Sequence, residues 1–130
     1  MDNTQPRTDA AGATVNAHQG SITFDPSTSR YLWVGSAFVP CAHEPYYDGC
    51  ANMSYGACGF NNNGIAVYSS ETLANSGWRL ETANALPFNT RAVGEYWEPN
   101  MLWNPATRRW VMWYIFSKAN GALSSFLRPS

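Results

Sequence analysis

The sequence holds no apolar run long enough to cross a membrane. Its longest uninterrupted stretch lies around Trp110 to Phe116, whereas a helical span needs about 20 residues. Charge is scarce as well. Asp, Glu, Lys and Arg make up 13% of the 130 residues, about half the usual share. Lysine occurs once, at Lys118, beside seven arginines, and the formal net charge is -1. There is no basic field to hold nucleic acid or an anionic membrane. Helical periodicity is missing too, because Gly, Pro and Asn punctuate the whole chain. With 45% apolar residues, the chain is nevertheless too hydrophobic to be disordered. Its length fits one domain at most.

Cysteine is confined to Cys41, Cys50 and Cys58. An odd number leaves one unpaired within the chain. Their spacings match neither a zinc site nor a redox pair, and two histidines (His18 and His43) complete no ligand set. No metal or cofactor is therefore expected, and His43 reads as loop surface. A local disulfide, Cys41 to Cys50 or Cys50 to Cys58, would brace the surrounding polar loop and suit a secreted protein. Asn52-Met53-Ser54 in the same loop is a glycosylation acceptor sequence. Met1 to Asn16 shows no signal-peptide pattern, so a secreted or extracellular location is an expectation for a longer parent protein.

What the sequence has in excess is aromatic residues, at 15%. Such rings favour strands and also serve as flat platforms for ligands. Residues 1–15 are polar and small and read as an N-terminal tail. Ile22-Thr23-Phe24 and Tyr31-Leu32-Trp33-Val34 flank an Asp25-Pro26 turn, a hairpin signal. Residues 36–63 form a long loop holding the cysteines. Ile65 to Ser69 reads as a strand, Trp78-Arg79-Leu80 as another, and residues 81–95 as irregular. Met101-Leu102-Trp103 and Trp110 to Phe116 flank Asn104-Pro105 in a second hairpin. Residues 118–130 read as an irregular, truncated end. The fold class is all-β.

An internal repeat sets the architecture. A shift of 79 residues lays Ile22–Val34 over Met101–Trp113 without a gap. Pro26 meets Pro105, Thr28 meets Thr107, Arg30 meets Arg109, Asp25 meets Asn104 and Tyr31 meets Trp110. A repeated hairpin with aromatics in fixed places is the mark of radial β repetition. Residues 16–117 therefore predict about two blades of a partial β-propeller. Blades that cannot bury their own faces need neighbours, so the missing blades of a parent protein are the expected partners. The same shift lays His18 over Trp97 and Gln19 over Glu98. If the innermost strand of each blade lines a central channel, these clusters converge on one pocket. An imidazole, an amide, an indole and a carboxylate can hold a sugar by hydrogen bonds and stacking. Glu95 reads as a solvated loop residue. It makes no acid/base pair with Glu98, because positions i and i+3 of an extended chain face opposite ways.

Three stretches resemble glycoside hydrolase family 43. His18-Gln19-Gly20, followed by a hairpin ending in Tyr31-Leu32-Trp33-Val34-Gly35, is similar to the family's first blade. Ala66-Val67-Tyr68-Ser69-Ser70 with Leu73 and Trp78 is similar to its "YSS-x-DL-xx-W" stretch. Trp97-Glu98-Pro99-Asn100-Met101-Leu102-Trp103-Asn104-Pro105, then Trp110-Val111-Met112-Trp113, is similar to its second blade. The resemblance covers roughly residues 16–116 and points to the exo-1,3-galactanase-like branch. It implies a five-bladed propeller and an inverting glycosidase that acts on a β-linked, galactan-like polysaccharide, this chain supplying half of the pocket. Such enzymes pair a carboxylic acid with a carboxylate about 6.5–9.5 Å away. The family's acid lies in a later blade, and its usual blade-one Asp has no counterpart in Asn16-Ala17-His18-Gln19. No catalytic residue is therefore assigned to this chain, which alone should be inactive. The expected substrate-binding residues are Asn16, His18, Gln19, Trp97 and Glu98. The alternative is a carbohydrate-binding propeller without catalysis.

Overall fold

The computed structural model describes residues 5–38, 63–118 and 123–126. The cysteines, the glycosylation sequence and His43 lie outside them. Seven strands form two antiparallel sheets: β1 (His18–Asp25), β2 (Arg30–Ala37), β3 (Gly64–Ser70) and β4 (Arg79–Thr82) in the order β1-β2-β3-β4, then β5 (Gly94–Asn104), β6 (Arg109–Lys118) and β7 (Leu123–Phe126) in the order β5-β6-β7. One short 3-10 turn spans Phe88–Thr90.

Local chemistry sets the hairpins. The Asp25 carboxylate accepts the Ser27 N–H at 2.9 Å, the Ser27 hydroxyl at 2.7 Å and the Thr28 hydroxyl at 2.8 Å. Asn104 repeats the device, its Oδ1 accepting the N–H of Ala106 at 3.0 Å and of Thr107 at 3.3 Å. Each loop closes through a left-handed residue, Ser29 (φ 55) or Arg108 (φ 53). Asx turns of this kind specify the reversal from sequence alone.

Strand alternation then builds the core. Leu32 and Val34 of β2 and Ile65 and Val67 of β3 meet Tyr96 and Met101 of β5 and Met112, Tyr114 and Phe116 of β6 between the sheets. Val34 and Ile65 are fully buried, each stabilising by roughly 1.5–3 kcal/mol. The two sheets are also tied by polar groups. The Asn63 amide exchanges two hydrogen bonds with the Tyr96 backbone, both at 2.7 Å. Strands β1 and β5 lie side by side, and the Ser21 hydroxyl donates to Asn100 Oδ1 at 3.0 Å. These two residues are 79 apart, equivalent positions of the repeat.

Three expectations are corrected. Residues 7–15 do not behave as a tail. Thr8 bridges Thr14, Asp9 bridges Trp78, and the Arg7 guanidinium lies 5.3 Å from the Trp33 ring centre. The Asp9 carboxylate caps this turn by accepting the N–H groups of Ala11 and Ala13, so the segment folds without periodicity. It covers the other face of the first sheet, where Val15, Ala17, Ala66, Tyr68 and Trp78 cluster. Residues 123–126, expected to be irregular, pair with β6 as the third strand of the second sheet. Glu95 lies on β5 and is 8% exposed, its carboxylate accepting the Trp97 indole N–H at 3.3 Å. β5 starts at Gly94, seven residues ahead of the run read from the sequence.

Candidate functional site

The candidate residues sit where both sheets depart from regular pairing. On β1, His18 pairs with Ser36 and Ser21 with Val34, so Gln19 and Gly20 oppose the single residue Gly35. On β5, Trp97 pairs with Ile115 and Asn100 with Trp113, so Glu98 and Pro99 oppose Tyr114. Each is a β-bulge at the same position of the repeat, and bulges re-aim side chains. Gln19 (φ 52) and Glu98 (φ 49) hold the first bulge position in the left-handed region, a place that glycine normally takes. The second position is Gly20 on one strand and Pro99 on the other. A Cβ on Gly20 would stand 1.7 Å from the Val34 carbonyl oxygen. Pro99 is fully buried and suits a bulge because it lacks an N–H to pair.

His18, Gln19 and Glu98 are exposed, and Asn16 and Trp97 are half-buried. His18 and Trp97 are brought together by Phe38, which lies in the stretch that the sequence predicts to be a loop. The His18 imidazole stacks on it at 4.3 Å with an interplanar angle of 6°, and Trp97 meets it edge-on at 6.0 Å. Although the residue is exposed as a whole, partial desolvation of its imidazole holds His18 below its ordinary pKa and favours the neutral ring. Asn16 turns to the backbone: its Nδ2 donates to the Phe38 carbonyl at 2.7 Å and its Oδ1 accepts the Phe38 N–H at 3.0 Å. Among the described residues the Glu98 carboxylate forms no hydrogen bond or ion pair, so no direct bond joins it to His18 or Gln19. Phe38 sits at the edge of the cysteine-containing loop, and its neighbours are remote in sequence. Only the high aromatic content hinted at such a cluster.

A cleft of about 460 Å³ opens between the sheets beside the first hairpin, lined by Arg30, Ser69, Arg79, Glu81, Met101 and Trp110 among others. Its charges are spent on one another. Glu81 takes a paired contact from Arg79 at 2.9 and 3.0 Å and a hydroxyl from Ser69 at 2.5 Å, and Arg79 first, then Ser69, pulls its pKa below the ordinary value. Arg30 bridges Ser69 and Glu71. This network stitches β2, β3 and β4 together. Among the described residues no group of three or more His, Cys, Asp or Glu side chains could hold a metal.

No family model matches the sequence, and no curated protein matches it. Solved structures do match. One is a GH43 β-1,3-galactosidase with galactodeoxynojirimycin, at TM-score 0.67 and 22% identity over 93% of this chain and 31% of that one. A second GH43 β-1,3-galactosidase matches at TM-score 0.59 and 19% identity over 96% of this chain and 27% of that one. The chain thus spans about a third of the length of each galactosidase or less. At these identities the likeness is one of fold. The chain has the all-β fold of part of a GH43 β-1,3-galactosidase, two neighbouring antiparallel sheets of a partial β-propeller.

Proposed function

We propose that this chain forms half of the sugar pocket of an inverting, secreted glycoside hydrolase acting on a β-linked, galactan-like polysaccharide. The observation that carries the reading is the pair of matched bulges. Gln19 and Glu98 occupy left-handed positions on adjacent inner strands. A non-glycine residue held there costs about 1–2 kcal/mol, and such strain clusters at binding and active sites. The two side chains have the same length and differ at the tip, an amide in one and a carboxylate in the other. Glu98 accepts sugar hydroxyls in charge-assisted bonds, Gln19 both donates and accepts, and Trp97 offers an indole face. The resemblance puts the acid of hydrolysis in a later blade, and among the described residues Glu95 is engaged with Trp97 rather than paired with Glu98. The chain's own share is binding. A propeller that only binds sugar shares this half-site, and two further carboxylates about 6.5–9.5 Å apart in the longer protein separate the enzyme from the binder.

Glu98 tests the reading. Glu98→Gln should weaken binding of a β-1,3-linked galactobiose probe by about tenfold, the loss of one charge-assisted contact, with the melting curve unchanged. Glu98→Gly should abolish binding yet be more stable than Glu98→Ala by about 1 kcal/mol, because glycine relieves the left-handed strain. Calorimetry of sugar binding together with thermal melts checks both. Unaltered sugar affinity in either variant would remove Glu98 from the pocket.

A further inference from the structure

We propose that Asn16 and Phe38 form a positioning device for the sugar pocket, in which Asn16 clamps the Phe38 backbone so that the Phe38 ring fixes the faces of His18 and Trp97. The inference rests on the pocket reading above and assigns to Asn16 an indirect role in place of sugar contact. Asn16 lies ahead of β1, and Phe38 directly follows the end of β2 at Ala37. Phe38 lies just beyond Ala37, the last residue of the β2–β3 ladder. The Asn16 carboxamide meets both backbone groups of Phe38 at 2.7 and 3.0 Å. A paired contact to one residue fixes direction as well as distance. Asn16 is itself anchored, its N–H donating to the Tyr68 hydroxyl at 3.3 Å.

From that fixed backbone the Phe38 ring lies parallel to the His18 imidazole at 4.3 Å and 6° and edge-on to the Trp97 indole at 6.0 Å and 65°. One ring thus orients a candidate hydrogen-bonding group from the first sheet and a candidate stacking platform from the second. His18 stands directly before the first bulge and Trp97 directly before the second. Orienting these two rings therefore orients the flanks of Gln19 and Glu98 as well. A bound sugar needs both rings at defined angles at once, and no backbone ladder fixes their side-chain torsions. The Phe38 ring does so for His18, and for Trp97 together with the Glu95 carboxylate that accepts its indole N–H, at low conformational cost, because it has only two side-chain torsions of its own.

The test uses the 130-residue chain, with NMR of the His18 ring protons and titration with β-1,3-linked galactobiose. In the wild type a stacked phenyl shifts the His18 ring protons upfield. Phe38→Leu should remove that shift and weaken the disaccharide by about two- to tenfold, the range expected of one aromatic contact. Phe38→Tyr keeps the ring and should restore both readouts, which a merely space-filling role would not require. Asn16→Ala should reproduce the Phe38→Leu effects with the Phe38 side chain intact. Wild-type His18 shifts in Asn16→Ala, or wild-type affinity in Phe38→Leu, would overturn the device. If the wild type itself binds no galactobiose, half of the pocket does not suffice for affinity, and the His18 shifts in Asn16→Ala still decide whether the clamp exists.

Discussion

Replacing Asn63 by Ala should destabilise the chain strongly. Asn63 is 0% exposed and immediately precedes β3. Its Nδ2 donates to the Tyr96 carbonyl and its Oδ1 accepts the Tyr96 N–H, both at 2.7 Å. The Ser36 hydroxyl donates to the same carbonyl at 2.8 Å. In the Asn63→Ala variant the carbonyl keeps Ser36, but the Tyr96 N–H, on a residue 2% exposed, loses its acceptor. An orphaned buried donor costs about 1–3 kcal/mol and the second lost bond about 1 kcal/mol. The expected loss is therefore roughly 2–4 kcal/mol, a large part of a typical domain's 5–15 kcal/mol. Asn63→Asp provides an internal control. Its carboxylate would keep the Tyr96 N–H but face the Tyr96 carbonyl with a second acceptor, so burial and repulsion raise its pKa. A group with a raised folded pKa contributes its stability below the unfolded value of about 4 and loses it as pH rises through the folded value. The Asp variant should approach the wild type near pH 4 and fall toward the Ala variant by about pH 7.5. Urea melts at both pH values measure this. A loss below about 1 kcal/mol in Asn63→Ala, or no pH dependence of Asn63→Asp relative to wild type, would refute the account of how the sheets are joined.

Two further outcomes follow from the same geometry. Gly20→Ala places a methyl group 1.7 Å from the Val34 carbonyl and 2.7 Å from the Gly35 Cα, so the backbone must move. Its thermal melt should show a loss of about 3 kcal/mol or more. The Asp25 carboxyl is held below its ordinary pKa chiefly by the Ser27 hydroxyl, so its stabilisation is present above pH 4 or so and fades as pH falls through the folded value. Asp25→Ala should therefore cost about 1 kcal/mol at pH 7 and less at pH 3, while Asn104→Ala, at the equivalent uncharged turn, should show no such pH dependence in the same melts.

The fold was legible wherever sequence-local chemistry decides it. Asp25-Pro26 and Asn104-Pro105 carry their turns in their own side chains, and the 79-residue shift that they reveal places Ser21 against Asn100. Tyr68, Ser69, Ser70 and Trp78 stood out as a motif, and the structure puts them to structural use. Trp78 is 0% exposed, and Ser69 bonds Arg30 and Glu81. What stayed hidden depends on distant partners. Residues 7–15 have no periodicity to read, since their order comes from one capping carboxylate and from Trp78 and Asn75 across the chain. Asn16 carries the polar amide expected of a sugar ligand, yet its partner is a backbone 22 residues away. The bulges could not be read because glycine, their usual signal, is replaced at the left-handed position by Gln19 and Glu98.

A left-handed residue is not by itself a sign of function, and the repeat supplies the comparison that shows why. Ser29 and Arg108 are left-handed at φ 55 and 53, as equivalent to each other as Gln19 and Glu98 are. At the hairpins the torsion is the geometric consequence of a short loop that must reverse into a ladder. Residue identity there is correspondingly loose, a hydroxyl in one copy and a guanidinium in the other. At the bulges the torsion is that of the first bulge position. Glycine would satisfy it at less cost, as it does elsewhere in the chain at Gly12 (φ 86) and Gly77 (φ 85). Both copies instead keep a four-bond side chain of one length and shape, changed only from amide to carboxylate. Backbone geometry alone explains the hairpin pair. The bulge pair retains the strain together with the shape of the side chain, and both residues are exposed and directly follow His18 and Trp97, the two residues whose rings meet Phe38.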